Sequence, residues 1–497
     1  MKKILLILAV MIAFATAHSQ EISLPLESNH YAKPTSYSQL SEFVAQLDSA
    51  SGIMKAEIIG QSVNGRNLYA MKFSSGEFGA DKSKIRVLFF AQQHGNEQSG
   101  KEAALKLALS LCKPENSYLF DKIDLAIIPQ VNPDGSELNQ RRNAHEMDLN
   151  RNHLILTEPE IQALHRLFEK YLFEVTMDVH EYSPFGDDWK KYGYRKNADV
   201  TLGVTTNVNV SEKIREFSNK VAAPYVMKYI SDRGFSSFVY CPGGPPGVDY
   251  IRHSTFDIND GRQSLGILNS LSFIQEGMNG EDTYVENLQH RTDAQVTGMK
   301  AMLEFVYLNS AQIQMLVADG RKNLLSAKAG KTVSVQASHF SDGRKLMLPL
   351  VSWNTKTDTV VEVTDYRPVV KSTYDIDRPL GYLVPKKNTD LVEWLSIQNI
   401  TQQEYTPGKH PKVEHYYVRD IDSIDFERDM IVNPIVESST VNISDPAEYI
   451  FVPAAQLKAN MIVQALEPKS MLGLITYKQY AGLLKTATYF PVLRVIK

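Results

Sequence analysis

The sequence predicts an α/β fold: a mixed, mostly parallel twisted sheet flanked by helices, followed by a C-terminal all-β, sandwich-like region. Three observations predict it. Up to about residue 308, short apolar runs alternate with amphipathic or Ala/Leu/Lys-rich segments, the pattern of strands joined by helices. Polar clusters follow the C-terminal ends of the apolar runs, where open α/β sheets build their sites. Beyond about residue 310 helical periodicity fades, and alternating runs such as 332–336 and 360–364 recur between Asp/Pro/Gly turns, as in antiparallel sheets.

Composition is that of an ordinary globular protein: 497 residues, 43% hydrophobic, 22% charged. That length suits about two to four domains. The net charge of −4 gives no reason to expect nucleic acid as a partner. Met1-Lys2-Lys3, an apolar run from Ile4 to Ala15, and the small residues before Gln20 read as a secretory signal peptide over 1–19, cleaved after Ala17 or Ser19. Its removal takes the charge to about −6. No segment approaches the ~20 apolar residues of a membrane span, so an exported protein, periplasmic or secreted, is expected. The α/β region is then 20–310 and the β-rich region 311–497. Cys112 and Cys241 lack C-x-x-C spacing, which argues against a cysteine metal site; one disulfide or two buried thiols both remain open.

The elements follow in order. Ser38 is a candidate cap for a helix whose Leu40, Phe43, Val44 and Leu47 share a face. Residues 56–60 and 67–73 read as strands joined at Asn64-Gly65. A strand over 87–91 leads through Gln92-Gln93-His94-Gly95-Asn96-Glu97 into a helix over 101–109. A strand over 123–129 runs into the turn Val131-Asn132-Pro133-Asp134-Gly135. Thr157-Glu158-Pro159-Glu160 opens a helix, with Thr and Glu at a capping-box interval and Pro in the first turn. The strand over 173–178 ends at Val179-His180-Glu181-Tyr182, and that over 271–275 ends at Glu276-Gly277. A helix over 287–308 closes the region.

Three strand ends therefore present His94 with Glu97, then His180, then Glu276. Two imidazoles and a carboxylate are the ligands of a catalytic zinc site with an open position. A further carboxylate, Glu276, suits the general base and proton donor that amide hydrolysis needs. An H-x-x-E pair alone is equally a polar loop above a sheet; it is the company of the other two strand ends that favours a metal.

Gln93-His94-Gly95-Asn96-Glu97, Asn132-Pro133-Asp134-Gly135, Asp148-Leu149-Asn150-Arg151-Asn152, Asp178-Val179-His180 and Ile274-Gln275-Glu276, in that order over about 38–308, resemble the zinc carboxypeptidase family, the carboxypeptidase A-like metallopeptidases. The lead-in at 59–66 is similar to the family's start. The resemblance implies one Zn2+ per chain held by His94, Glu97 and His180, with Glu276 as catalytic base. It implies that Arg141 polarises the scissile carbonyl, that Asn150 and Arg151 grip the substrate's C-terminal carboxylate, and that Asp148 takes the other ring N–H of His94. A guanidinium fork suits a carboxylate, and a second guanidinium suits an oxyanion. Peptide or protein C-termini would be the substrates. Arg141 is preferred to Arg142 because it lies seven residues before Asp148, as the family pattern suggests.

The departures are His145-Glu146 in place of Asn-Gly, Glu181 in place of Ser, and a short interval between Glu97 and His180. The added acidity leaves room for a zinc amidase acting on cell-wall (murein) peptides. A third reading is a non-catalytic binding protein that works through its β-rich tail; the intact catalytic set argues against it. The family's mobile tyrosine maps to Tyr240, with Tyr250 the alternative, and Val248 would then line an apolar side-chain pocket. The tail is either a packing unit or a surface-binding module. Tyr477, Tyr480, Tyr489 and Phe490 are expected in its core.

Overall fold

The computed structural model describes residues 22–281, 285–326, 330–408 and 412–496; the expected signal peptide at 1–19 lies outside them. The first long helix is Tyr37–Ala50 and buries Leu40, Phe43, Val44 and Leu47. Its cap is Ser36 rather than Ser38: Ser36 accepts from the Gln39 backbone and the Gln39 side chain returns to Ser36 N–H, a reciprocal capping box. Strands β1 (Met54–Gln61) and β2 (Asn67–Phe73) form the expected antiparallel hairpin, with Gly65 at φ +78° in its turn.

Then come β3 (Ile85–Ala91), β4 (Ile123–Ile128), β5 (Val175–Tyr182), β6 (Tyr194–Lys196), β7 (Val200–Val204), β8 (Ser237–Val239), β9 (Ile251–Arg252) and β10 (Leu271–Met278). Eight of them form one sheet, in the order β1-β2-β4-β3-β5-β10-β7-β8. Its centre is parallel, β4, β3, β5 and β10 running together, and β7 turns antiparallel against β10. The central strands are buried on both faces and mostly apolar, with Asp178, His180 and Glu181 near the C-terminal end of β5. Helix Pro159–Tyr171 starts two residues after Thr157, with Glu158 in the cap position; the Thr157 hydroxyl accepts from Asn152 Nδ2 at 2.7 Å instead of capping.

Two boundaries differ from the sequence reading. First, His180 and Glu276 lie inside strands, not beyond them. β5 and β10 stay paired to Tyr182 and Met278, with His180 registered opposite Glu276. Second, the closing helix is Leu288–Leu325, running through residue 310 with one non-helical residue, Asn309 (φ −114°, ψ 17°). Ile313, Leu316, Val317, Gly320 and Leu324 continue its buried stripe past that kink.

The C-terminal region is mostly antiparallel. It holds β11 (Thr332–Phe340), β12 (Leu346–Ser352) and β13 (Asp358–Val363), then a larger sheet built on the long hairpin Val413–Phe426 and Asp429–Val441. Gly381–Pro385 pairs antiparallel with Tyr449–Pro453. Helices Thr389–Ile397 and Ala459–Leu466 join the strands. β12 pairs with β6 as well as β13, so Lys196 lies opposite Leu350. One buried cluster holds Phe90 and Phe273 together with Trp394, Val418 and Ile462, so the two regions share a core. Tyr480 and Phe490 are buried and Tyr477 packs against that core, whereas Tyr489 is exposed and stacks on His415. Both cysteines are free thiols. Among the described residues no helix is long and apolar enough to cross a membrane.

Candidate active site

The turn after β3 is pressed against the segment after β4. A Cβ on Gly95 would lie 2.2 Å from the carbonyl carbon of Gly135 and 2.4 Å from Ser136 N, so only glycine permits the approach. Asn132 Nδ2 donates to the carbonyls of Gln93 (3.1 Å) and Arg141 (3.3 Å), tying the turn to the arginine loop. Asp134 accepts from Ser62 Oγ, the Asn64 backbone and Arg66 Nη1 at 2.6–3.0 Å. The β1–β2 hairpin motif therefore anchors this loop from outside the site. Glu97 stands immediately before helix Gln98–Leu111, whose dipole favours its charge.

His94, Glu97 and His180 converge as expected. His94 Nδ1 lies 2.8 Å from Glu97 Oε1, His180 Nδ1 lies 2.9 Å from Glu97 Oε2, and the two Nδ1 atoms are 3.1 Å apart. All three residues are buried. The other nitrogen of each ring faces a carboxylate: His94 Nε2 to Asp148 at 3.0 Å, His180 Nε2 to Asp178 at 2.8 Å. Those carboxylates favour the Nε2–H tautomers, leaving both Nδ1 lone pairs and the Glu97 oxygens aimed at one point. Four acceptors with no donor between them are satisfied only by a cation. The chemistry of the set therefore fits Zn2+. In its absence, burial opposes charge on His180, but Asp178 and Glu97 outweigh it and raise its pKa well above the usual imidazole value. Glu97 is held far below the carboxylate range by His94 and His180 in spite of burial.

Glu276 is 8% exposed, one strand over from His180 on the same face. Burial pushes its pKa up to about 7, against the pull of His180 and with a push from Glu97. Of the two arginines, Arg141 faces the site: it donates through Nε to Asp148 Oδ2 (3.1 Å), and its Nη1 comes within 3.5 Å of Glu97 Oε1. Arg142 turns away to the Glu146 carbonyl. Asp148 thus joins Arg141 to His94, and those partners hold its pKa below the usual range despite burial. Asn150 is buried; its Oδ1 accepts from Gly261 N at 2.7 Å and its Nδ2 lies 3.3 Å from His180 Nε2. Arg151 is exposed, donates to the Asn150 carbonyl, and is flanked by Asp257, Asp148 and Asp260.

Tyr240 stands inside this group, over Arg262 and in the fields of Glu276 and Arg151. Tyr250 faces elsewhere, its ring under Arg367 of the C-terminal region. Val248 is 69% exposed. Glu181, expected to bring acidity to the pocket, is buried. It accepts from Arg291 Nε and Nη2 at 2.8–3.0 Å and from Ser99 Oγ at 2.6 Å.

Sequence reasoning missed several supporting residues. Asp178 was detectable, since two residues before His180 on a strand is the same face. Gln93 donates to Asp178 at 2.8 Å and, through Oε1, accepts from His153 Nε2 at 2.8 Å; His153 Nδ1 in turn meets His165 Nε2 at 3.0 Å. Burial lowers the pKa of His153 to about 4 and holds that of His165 well below the usual imidazole value, so this buried chain is neutral. Nothing in the spacing of His153 and His165 marked them. The tail also reaches the loop that carries Asn150 and Arg151: Trp394 Nε1 and Gln398 Nε2 donate to the Leu154 carbonyl at 2.8 and 2.7 Å.

Residues 40–236 match the family model described as zinc carboxypeptidase. That span contains His94, Glu97, Arg141, Asn150, Arg151 and His180, and ends before Tyr240 and Glu276. Carboxypeptidase 2 of Trichophyton tonsurans is 24% identical over 488 residues, covering 93% of this chain and 87% of its own. Human carboxypeptidase D is 25% identical over 276 residues, 49% of this chain and 20% of its own. A metallo-carboxypeptidase structure from Burkholderia cenocepacia superposes with a TM-score of 0.42 at 18% identity, covering 56% of this chain and 70% of that one.

Proposed function

We propose that the protein, whose residues 40–236 match the family model described as zinc carboxypeptidase, is an exported hydrolase that removes C-terminal residues from peptides, with Glu276 as its general base. The observation that carries the reading is the convergence of His94 Nδ1, His180 Nδ1 and the Glu97 carboxylate on one point. These three residues would hold one zinc ion. When bound, zinc supplies Lewis acidity, acidifying water and polarising a carbonyl.

The chain's own groups do the rest. Arg151 takes the C-terminal carboxylate of the peptide, with Asn150 beside it, which fixes the scissile bond at a set distance from Glu276. Glu276, with its pKa raised to about 7, takes a proton from water and returns it to the departing nitrogen, as a base poised near neutrality does well. Arg141 donates to the oxygen on which negative charge develops, and Asp148 keeps its guanidinium in place. Tyr240 borders the bound residue, and its closeness to Glu276 and Arg151 favours it over Tyr250. The cell-wall amidase reading loses one of its two supports, because Glu181 is held by Arg291 away from the cleft.

The test is hydrolysis of blocked dipeptides with and without a free C-terminal carboxylate by zinc-loaded protein. Cleavage confined to the free carboxylate is expected. Cleavage of amidated and free peptides alike would favour another amide as substrate.

A further inference from the structure

A cavity of about 40 Å³ is walled by Tyr182, Thr201, Tyr240, Lys196, Leu348 and Pro349, with room for a group larger than one water. Thr201 forms the side toward the catalytic centre, since it is registered opposite Glu276 on the neighbouring strand. Leu348 and Pro349 come from β12 of the C-terminal region, which is stitched to β6 and so to Lys196. This tail strand therefore completes a wall of the cavity.

Two polar groups here are under-used. Thr201 Oγ1 is buried without a hydrogen-bond partner among the described residues, though a buried hydroxyl normally has one. Lys196 Nζ donates to the Cys241 carbonyl at 2.9 Å and stands 5.2 Å from the Trp189 ring. Among the described residues no carboxylate pairs with it, whereas other buried lysines such as Lys458 and Lys101 have one. An ammonium with three donors and one acceptor, set among apolar walls, lacks a counter-ion.

We propose that this cavity receives the side chain of the substrate's C-terminal residue and that Lys196 makes the enzyme select peptides ending in aspartate or glutamate. The inference rests on the carboxypeptidase reading. An acidic side chain supplies the missing counter-ion and an acceptor for Thr201. A neutral isostere leaves the ammonium unpaired, and a basic one meets like charge. Burial lowers the Lys196 pKa, with Glu276 acting in the opposite sense, as expected of a cation short of anionic partners. The preference is the reverse of the apolar one expected from Val248.

Blocked dipeptides differing only in a C-terminal Glu, Gln, Leu or Lys test this on the full, zinc-loaded chain. The wild type is expected to show a kcat/KM for Glu at least ~10-fold above Gln, with Lys slowest. Lys196→Gln brings the Glu/Gln ratio to within about 2-fold, and Lys196→Arg retains most of it. As a readout that needs no variant, free glutamate inhibits the wild type at least ~10-fold more tightly than free glutamine. A wild-type Glu/Gln ratio near one, equal inhibition by the two amino acids, or a ratio that survives Lys196→Gln overturns the proposal. Hydrolysis of none of the four peptides would instead defeat the carboxypeptidase reading on which it stands.

Discussion

Replacing Arg291 with methionine should destabilise the protein by several kcal/mol, although Arg291 touches no proposed substrate or metal group. Its guanidinium donates to Glu181 through Nε and Nη2 at 2.8–3.0 Å, and both side chains are almost fully buried. Two unit charges about 4 Å apart attract by about 4 kcal/mol at an effective dielectric of 20, and breaking a buried pair from one side costs about 3–5 kcal/mol. Ser99 Oγ and N–H still reach Glu181, which favours the lower end of that range. The sign with pH follows from burial, which raises the Glu181 pKa even with Arg291 opposing it. The deficit is therefore smallest where Glu181 is protonated, grows as pH rises through its raised wild-type pKa, and is complete above the still higher pKa it has without Arg291. Urea unfolding of wild type, Arg291→Met and the charge-free pair Glu181→Gln/Arg291→Met, followed from pH 4 to 8, measures it. The double variant should recover much of the loss. A single variant within about 1 kcal/mol of wild type at pH 8 would refute the assignment of Glu181 and Arg291 as a buried ion pair.

Other predictions concern the chemistry and the tail. Glu276→Gln should retain zinc while kcat falls about 10²–10⁴-fold; a variant with near-normal turnover would remove Glu276 from the mechanism. Because Glu276 must be ionised to act as a base and burial raises its pKa to about 7, kcat/KM should fall as pH drops below about 7, with the bound cation moving that limb lower; a flat profile from pH 5 to 8 contradicts this. A chain ending at residue 310 should fail to fold, since it cuts helix Leu288–Leu325 and strips Trp394 from the Leu154 carbonyl; a soluble, active truncation by gel filtration and peptide hydrolysis would show the core to be divisible.

What could be read from the chain depended on locality. The strand-turn-helix at His94–Glu97 and the hairpin at Asn64-Gly65 are local, and period and turn chemistry reveal them. That His180 and Glu276 face one another was legible only as two strand ends. Their burial within paired strands depends on which strands become neighbours, which no local pattern specifies. Asp178 lay on the readable face of its strand, yet His153 and His165 are linked to Asp178 through Gln93, across contacts between distant segments. Glu181 looked like a pocket charge because its partner, Arg291, is 110 residues away. The tail misled in a different manner: β6 and β12 pair across more than 150 residues, so its share in the cavity beside Lys196 was invisible until both strands were in place.

The central claim is that His94, Glu97 and His180 together hold one catalytic zinc. Metal analysis of purified protein after zinc loading and dialysis tests it most directly, comparing wild type with Glu97→Ala and His180→Ala under the same conditions. The account predicts about one zinc per wild-type chain, and near none in either variant while each keeps a cooperative unfolding transition. A wild-type chain that takes up no zinc, or folded variants that still carry one, would contradict it.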